Sequence, residues 1–411
     1  MPVTDMCVSL TRERLYEIQD HLERQNLDGW LLYDFRGSNA IATGLLGLPS
    51  LSRRFVVYLP AVGEPIAVTH RIEQQPWRGW IGGKRVYLGW ESFEDELRRV
   101  LNGAGRIALE YSPDDAVPYL DRVPGGIVDL VRSTGVDTVS SGDLVSAVYS
   151  RWSPSGETSH RRAAEHLQRI ARAAFDRVGE HLRAGDPLTE WDLRDWITCR
   201  LVEEGLGVGV DAVVAVNANA ANPHYAPSAD EHALIADGDL ILIDLWGKEN
   251  ADAIYADQTW MGFVGPDLPE RIREVWSAIR DARDAGVDLI RDRFASGSPV
   301  AGYEVDDAVR RVIAERGFGE AFIHRTGHSI DRELHGSGPN LDNLETRDTR
   351  ALIPGVGFSI EPGVYLEGEI GLRTEIDVLM TPDGPVVTTP EPQREIYLID
   401  GSRQSTVDSR Q

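Results

Sequence analysis

The sequence predicts two domains, an α/β domain followed by a larger α+β domain. Three observations predict this. The chain has 411 residues, and at roughly 150 residues per domain that is enough for two or three. Apolar runs of strand length alternate with helical periods up to about residue 150, the pattern of a small α/β domain. The stretch SRWSPSGET (150–158) then interrupts the alternation, and long helices followed by clustered strands come after it.

In order along the chain, TRERLYEIQDHLERQNL (11–27) carries Leu15, Ile18 and Leu22 at helical spacing. GWLLYDF (29–35) is an apolar run of strand length, followed by strands in RRFVVYLP, EPIAVTH, KRVYLGW and RIALEYS. ESFEDELRRVLNGAG (91–105) is a helix that ends in glycine. Beyond the boundary a helical pattern runs to about residue 184, and Thr189 is the expected N-cap of the next helix. Strands are expected at 209–217, 239–246 and 253–263, helices at 268–295 and 303–316, and several strands across 321–399. The last ten residues are expected to fray, and no internal repeat stands out.

The charge balance excludes some partners. There are 66 acidic against 42 basic residues, a net charge of -24 and a pI of about 4.8. A nucleic-acid or anionic-membrane binder needs a basic footprint, which this chain lacks. Lys84 and Lys248 are the only lysines; a GC-rich genome and a salt-adapted cytosol both fit that bias. Two cysteines, Cys7 and Cys199, make no disulfide framework and fit a reducing compartment. With no apolar leader and no apolar run of bilayer-spanning length, the expectation is a cytoplasmic protein without a membrane span.

The most informative residues are two pairs of acids. In GDLILIDLWGKENADAIYADQTW, a tight hairpin centred on Asn250-Ala251 would set Asp244 opposite Asp257. In FSIEPGVYLEGEIGLRTEIDV, a hairpin centred on Gly368 would set Glu361 opposite Glu375. Opposed side chains have Cβ atoms roughly 4.5–5.5 Å apart, where like charges repel. Two such pairs inside apolar strand sequence call for compensation, by a shared cation or by a shared proton with a raised pKa. The blander alternative, solvation or bonds to backbone, is the better account of one pair taken alone.

Histidines shift that balance. FIHRTGHSIDRELHG holds His324, His328 and His335 within twelve residues, and in an extended segment His324 and His328 share a face. Two Asp, two Glu and a His form an oxygen-rich set that suits two divalent ions of Mn, Co or Zn type better than one structural zinc. Two ions roughly 3.5–4 Å apart can deprotonate a bridging water and stabilise the oxyanion formed when it attacks a carbonyl. The turn-rich segment NANAANPHYAPS (217–228), with His224-Tyr225, reads as a surface turn or a binding loop.

The motifs LIDLWG with ADQTW, HRTGHSIDRELHG, SIEPGVY and GLRTEID occur in an order and spacing that resemble the M24B metallopeptidases, the prolidase, aminopeptidase P and creatinase group. Residues 1–153 are similar, by texture only, to that group's N-terminal domain, and 154–411 to its pita-bread catalytic domain. The resemblance implies five metal ligands, Asp244, Asp257, His328, Glu361 and Glu375. Asp257 and Glu375 would bridge two ions, with manganese the first expectation and cobalt or zinc alternatives; Asp244 would complete one ion, and His328 with Glu361 the other. Glu361 would also take the proton of the bridging water. His224 would hold the scissile carbonyl or its oxyanion, and His335 would contact substrate and assist proton transfer. Tyr365, Arg373 and His324 would surround the site. The implied activity is hydrolysis of X–Pro bonds in small peptides, prolidase-like, by a homodimer.

Three features depart from the family pattern. Gly336 follows His335 where an acid is common, the Asp–Asp spacing is 13, and Leu245-Trp246 stand where small residues are usual. They leave the ligand set whole and put substrate choice in question. Arg325 or Arg332 is a candidate cation for a dipeptide carboxylate. The alternatives are an Xaa-Pro aminopeptidase, a hydrolase or lyase acting on a non-peptide metabolite, and an inactive peptide-binding scaffold; the five retained ligands oppose the last.

Overall fold

Thr11 accepts a hydrogen bond from Arg14 N at 3.2 Å and starts α1 (Arg12–Arg24), which buries Leu15, Ile18 and Leu22 as their spacing predicts. The computed structural model describes residues 8–401, and these fall into two units that divide between Tyr149 and Ser150. Cys7 and the expected frayed tail lie outside the described residues; Cys199 is exposed and free. No helix among the described residues is long and apolar enough to cross a membrane.

In the first unit, β1 (Gly29–Asp34) is buried along its whole length because it is central. It pairs antiparallel with β2 (Phe55–Pro60) and parallel with β5 (Arg106–Leu109). The sheet is completed by β3 (Ile66–His70), β4 (Gly83–Tyr87) and β6 (Asp137–Ser140), in the order β4-β3-β2-β1-β5-β6. Helix α3 (Trp90–Val100) buries Phe93, Leu97 and Val100 in a core with Leu31, Val56 and Ile107. Three helices escaped the sequence reading: α2 (Ala40–Leu46), capped by Asn39, α4 (Gly125–Arg132) and the short α5 (Gly142–Leu144).

The second unit begins with α6 (Pro154–Ala184), where Ser153 caps the N-terminus, Pro154 occupies the first turn and Gly185 closes the helix at φ 77°. Thr189 and Asp192 form a capping box for α7 (Glu190–Glu203). Strands β7 (Val208–Val216), β8 (Leu240–Lys248) and β9 (Ala256–Val264) form an antiparallel sheet, extended beyond β9 by β16 (Tyr397–Ile399). Helices α8 (Glu270–Ala295) and α9 (Gly302–Glu315) follow. A second sheet has the order β10-β11-β14-β15, from β10 (Ser329–Ile330), β11 (Gly357–Ile360), β14 (Ile376–Thr381) and β15 (Gly384–Val387). Strands β12 (Gly363–Leu366) and β13 (Ile370–Arg373) pair with each other.

Side-chain alternation sorts the two cores of this unit. Ile241, Ile243 and Leu245 of β8 join α6 and α7 in one core. Leu240 and Leu242 face the other way, into a core with α8, α9, Phe358, Ile360, Ile376 and Val378. Asp244 continues the Leu240–Leu242 face, and Asp257 and Thr259 continue the face of Met261 and Phe263. The polar residues therefore stand where this apolar layer stops.

Candidate metal centre

The two acid pairs come from two hairpins. In the first, the expected register is wrong by two residues. Asp244 pairs with Thr259, and Asp257 with Trp246, so the two aspartates share a face as diagonal neighbours instead of standing opposite. The turn accounts for the slip. Asn250 accepts from Asp252 N at 3.1 Å and from Ala253 N at 3.1 Å, and Tyr255 N leaves the hairpin to donate to Asp331 O at 3.2 Å. The expected strand start at 253 is therefore delayed to Ala256.

In the second hairpin the expected register holds. Ile360 faces Ile376 and Gly363 faces Arg373, so Glu361 and Glu375 oppose each other in the gap between the two ladders. Glu361 N donates out of the hairpin, to Thr326 O at 2.7 Å. That bond ties the strand to the segment carrying His328, as does Ser359 N to His328 O at 2.9 Å. Gly327 permits the approach, since a Cβ there would meet Ser359 O at 2.0 Å.

The acids of both hairpins line one cavity of about 410 Å³, together with His224, Tyr225, Trp246, His324, Arg325, His328, Leu334, His335, Glu345 and Arg373. One ligand atom each from Asp257, His328 and Glu375 lies within 4.8 Å of the other two, and all three residues are buried. His328 Nε2 is 3.6 Å from Asp257 Oδ2 and 3.4 Å from Glu361 Oε1. Its Nδ1 faces Ser329 O at 3.1 Å. A carbonyl accepts only, so Nδ1 carries the proton and the Nε2 lone pair points among the acids. Burial lowers the pKa of His328, favouring this neutral form.

Arg373 offsets part of the negative charge. It pairs with Asp244 Oδ2 and lies 3.9 Å from Glu361 Oε2. Thr259 Oγ1 receives Arg373 Nε at 2.8 Å and lies 2.8 Å from Glu375 Oε2 and 3.3 Å from Asp244 Oδ1. The four hairpin carboxylates still share the cavity with two buried guanidiniums, Arg373 and Arg325. Burial first, then Asp244 and Glu361, raise Asp257 well above the ordinary carboxylate range. Burial first, then Asp257 and Glu361, do the same to Glu375. Burial also opposes ionisation of Glu361, but its pKa is lowered, with the permanent charges of Arg373 and Arg325 among the causes.

The donor set fits divalent cations. Asp257 Oδ1 and Glu375 Oε1 are buried and have no hydrogen-bond partner among the described residues. Buried carboxylate oxygens are costly in that state unless a proton or a cation reaches them. Oxygen donors with one neutral imidazole match the preference of first-row divalent ions.

The remaining expected residues take various positions. His335 stacks edge-on to His328 with ring centroids 4.5 Å apart. His224 is exposed on the β7–β8 loop and borders the cavity. His324 Nε2 meets Tyr365 OH at 2.9 Å, and burial pushes this imidazole down to about 4. Tyr365 stands behind His324 and is not part of the cavity wall. Arg325 lines the cavity and Arg332 does not. Trp246 is a wall residue, fixed by its Nε1 donating to Gly209 O at 3.0 Å. Sequence reasoning missed Thr259, Glu345 and Asp377; Asp377 Oδ2 accepts Asp257 N at 3.0 Å. Thr259 and Asp377 each stand two residues beyond an identified acid, so strand alternation alone would have placed them on the same face.

The profile of metallopeptidase family M24 matches residues 162–382. The chain is 28% identical over 341 residues to the probable dipeptidase PepE of Mycobacterium bovis, covering 82% of this chain and 84% of that one. It is 32% identical over 174 residues to the Xaa-Pro dipeptidase of Lactobacillus delbrueckii subsp. lactis, 42% of this chain and 43% of that one. The crystal structure of dipeptidase PepE from Mycobacterium ulcerans superposes with a TM-score of 0.72 at 24% identity, covering 94% of this chain and 97% of that one. This last likeness is one of fold, an N-terminal α/β domain followed by the pita-bread domain.

Proposed function

The chain belongs to metallopeptidase family M24, and on that premise we propose that it is an Xaa-Pro dipeptidase working with two divalent ions, manganese first, and a water nucleophile. The observation that carries this reading is the pair of unpartnered buried oxygens, Asp257 Oδ1 and Glu375 Oε1, beside a neutral imidazole. Asp244, Asp257, His328, Glu361 and Glu375 would hold the ions. Two bound ions supply Lewis-acid polarisation of the scissile carbonyl and acidify a water.

The protein's own groups do the rest. Glu361 takes the proton of the attacking water, and Ser359 Oγ, 3.1 Å from Glu361 Oε1, holds that carboxylate in place. His224 steadies the carbonyl oxygen as charge develops on it. The proline nitrogen leaves as an amine and must gain a proton; His335, at the cavity wall, assists that transfer. Burial raises the pKa of Asp244, and Arg373 opposes that rise and orients the carboxylate, while Tyr365 and His324 brace the wall.

Two observations favour a dipeptide. A cavity of about 410 Å³ is small, and it presents Arg325 as a partner for a proline carboxylate. Two relatives, named as a probable dipeptidase and an Xaa-Pro dipeptidase, fit this reading, and one named as a putative Xaa-Pro aminopeptidase fits the alternative. We further propose a cytoplasmic homodimer. The test is incubation with Ala-Pro and with a longer Ala-Pro peptide in the presence of Mn²⁺. Faster turnover of Ala-Pro is expected. Turnover of the longer peptide alone would reassign the protein as an aminopeptidase, and turnover of neither would end the X–Pro assignment.

A further inference from the structure

Glu190 is the first residue of α7, and it is wholly buried. We infer that Glu190 is a positioning residue for His224, acting by fixing the loop on which His224 rides. The inference rests on the catalytic part given to His224 above.

The loop between β7 and β8 spans residues 217–239. Loops longer than roughly 12–15 residues are uncommon in compact domains and are usually functional or disordered. In this one, a single buried side chain bonds residues along both limbs. Glu190 Oε1 accepts from Val216 N at 2.6 Å, at the loop's root, and from Asn219 Nδ2 at 3.1 Å. Glu190 Oε2 accepts from Tyr225 OH at 2.6 Å, from Ala233 N at 2.7 Å, and also from Asn219 Nδ2 at 3.1 Å. Glu190 N donates to Ala233 O at 2.9 Å. One oxygen thus serves the outgoing limb and the other mainly the return, with Tyr225 tied down beside His224.

A buried carboxylate needs donors, and the donors here need an acceptor. Without the second oxygen, the outgoing and return limbs lose their shared anchor on α7 and are left joined at the root, where Asn217 Nδ2 donates to Asp239 Oδ1 at 2.6 Å. The floor under the loop is equally tight: a Cβ on Gly371 would meet Ala220 O at 1.8 Å. Little else holds His224 itself. Its backbone N–H bonds Asn222 Oδ1 at 3.1 Å, within the same loop, and its side chain is exposed at the cavity edge.

The test is a double-mutant cycle in Mn²⁺-loaded protein, with Glu190→Gln and His224→Ala made singly and together, and Asn219→Ala as a milder second probe should Glu190→Gln fold poorly. Gln keeps the volume but offers one acceptor oxygen and sets an amide NH₂ against N–H donors. His224→Ala is expected to lower kcat on Ala-Pro by about a hundredfold, and Glu190→Gln by about tenfold, with KM changed much less. In the His224→Ala background, Glu190→Gln should have less than about a twofold effect. Mn²⁺ stoichiometry and affinity should stay at wild-type values. Hydrogen exchange at Val216 and Ala233 should quicken in Glu190→Gln while the β8–β9 amides keep their protection.

Equal losses in both backgrounds, a loss of Mn²⁺ binding, or unchanged exchange at Val216 and Ala233 would each overturn the role of Glu190. A His224→Ala protein with full activity would remove the part given to His224, and this inference with it, while leaving the metal site standing.

Discussion

Each unit buries acids, and Glu110 of the first differs from the hairpin acids of the second in what meets its oxygens. In the first unit Glu110 is wholly buried, yet Oε1 receives Trp30 Nε1 at 2.5 Å and Ser141 Oγ at 3.2 Å, and Oε2 receives Asn39 Nδ2 at 2.7 Å. In the second unit Asp257 and Glu375 are as deep, but each keeps one oxygen with no partner among the described residues. Depth raises the pKa in both places, to about 7 for Glu110. The distinction lies in satisfaction. A buried acid with all its bonds made stiffens a fold, whereas one with an oxygen left over, beside others of the same charge, is prepared for something that arrives.

The largest test of that contrast is removal of an unsatisfied acid. Glu375→Ala should lower turnover of a working substrate by roughly a thousandfold or more, since bound ions supply several kcal/mol of transition-state stabilisation. A loss of only a few fold would place the chemistry elsewhere. Thr259→Val tests the shell behind the acids. It deletes the hydroxyl shared by Glu375, Asp244 and Arg373 and should weaken Mn²⁺ binding by about 10–100-fold, read by calorimetric titration.

Acidity offers a subtler test. Asp257 and Glu375 have folded pKa values raised above their unfolded values. The folded metal-free protein therefore binds more protons than the unfolded chain, and stability falls as pH rises from the ordinary carboxylate range through the raised values. Thermal melts of metal-free protein should lose midpoint temperature from pH 5 to pH 8. A constant Mn²⁺ concentration, set at a hundred times the Kd found at pH 8, should return about 2.7 kcal/mol per site there and less at pH 5, where protons compete for the same oxygens. Activity should rise from pH 6 to pH 8 for the same reason, because ligands must be deprotonated to hold the ions. A Mn²⁺ shift of equal size at both pH values would contradict this.

The smallest functional effect is expected at Glu110. Glu110→Gln should cost about 1–3 kcal/mol in urea unfolding by leaving a buried donor unmatched, yet leave turnover and Mn²⁺ content within twofold of wild type. Loss of Mn²⁺ in that variant would erase the distinction between the two settings.

The legibility of the sequence varied with the kind of contact. Glu361 and Glu375 were readable because Gly368, at φ 72°, pivots a short turn between Leu366 and Ile370, so simple symmetry gives the register. Asp244 and Asp257 were readable as a shared face but not as a register. The turn between them is set by Asn250 and by Tyr255 reaching to Asp331, a partner distant in sequence. The helices α6, α7, α8 and α9 were legible from long helical stretches, with Thr189 marking the start of α7, whereas the seven-residue α2 offered too little pattern to see. The Glu190 network and the Asp377–Asp257 bond join residues far apart in the chain, and local periodicity carries no trace of such pairings.

The account turns on cations meeting the unpartnered oxygens, and the most direct measurement is titration of metal-stripped protein with Mn²⁺, with elemental analysis of the complex, for wild type and Asp257→Ala side by side. The account predicts saturable binding of two ions per chain in the wild type and its loss in Asp257→Ala. Equal binding by both proteins, or none by the wild type, would contradict it.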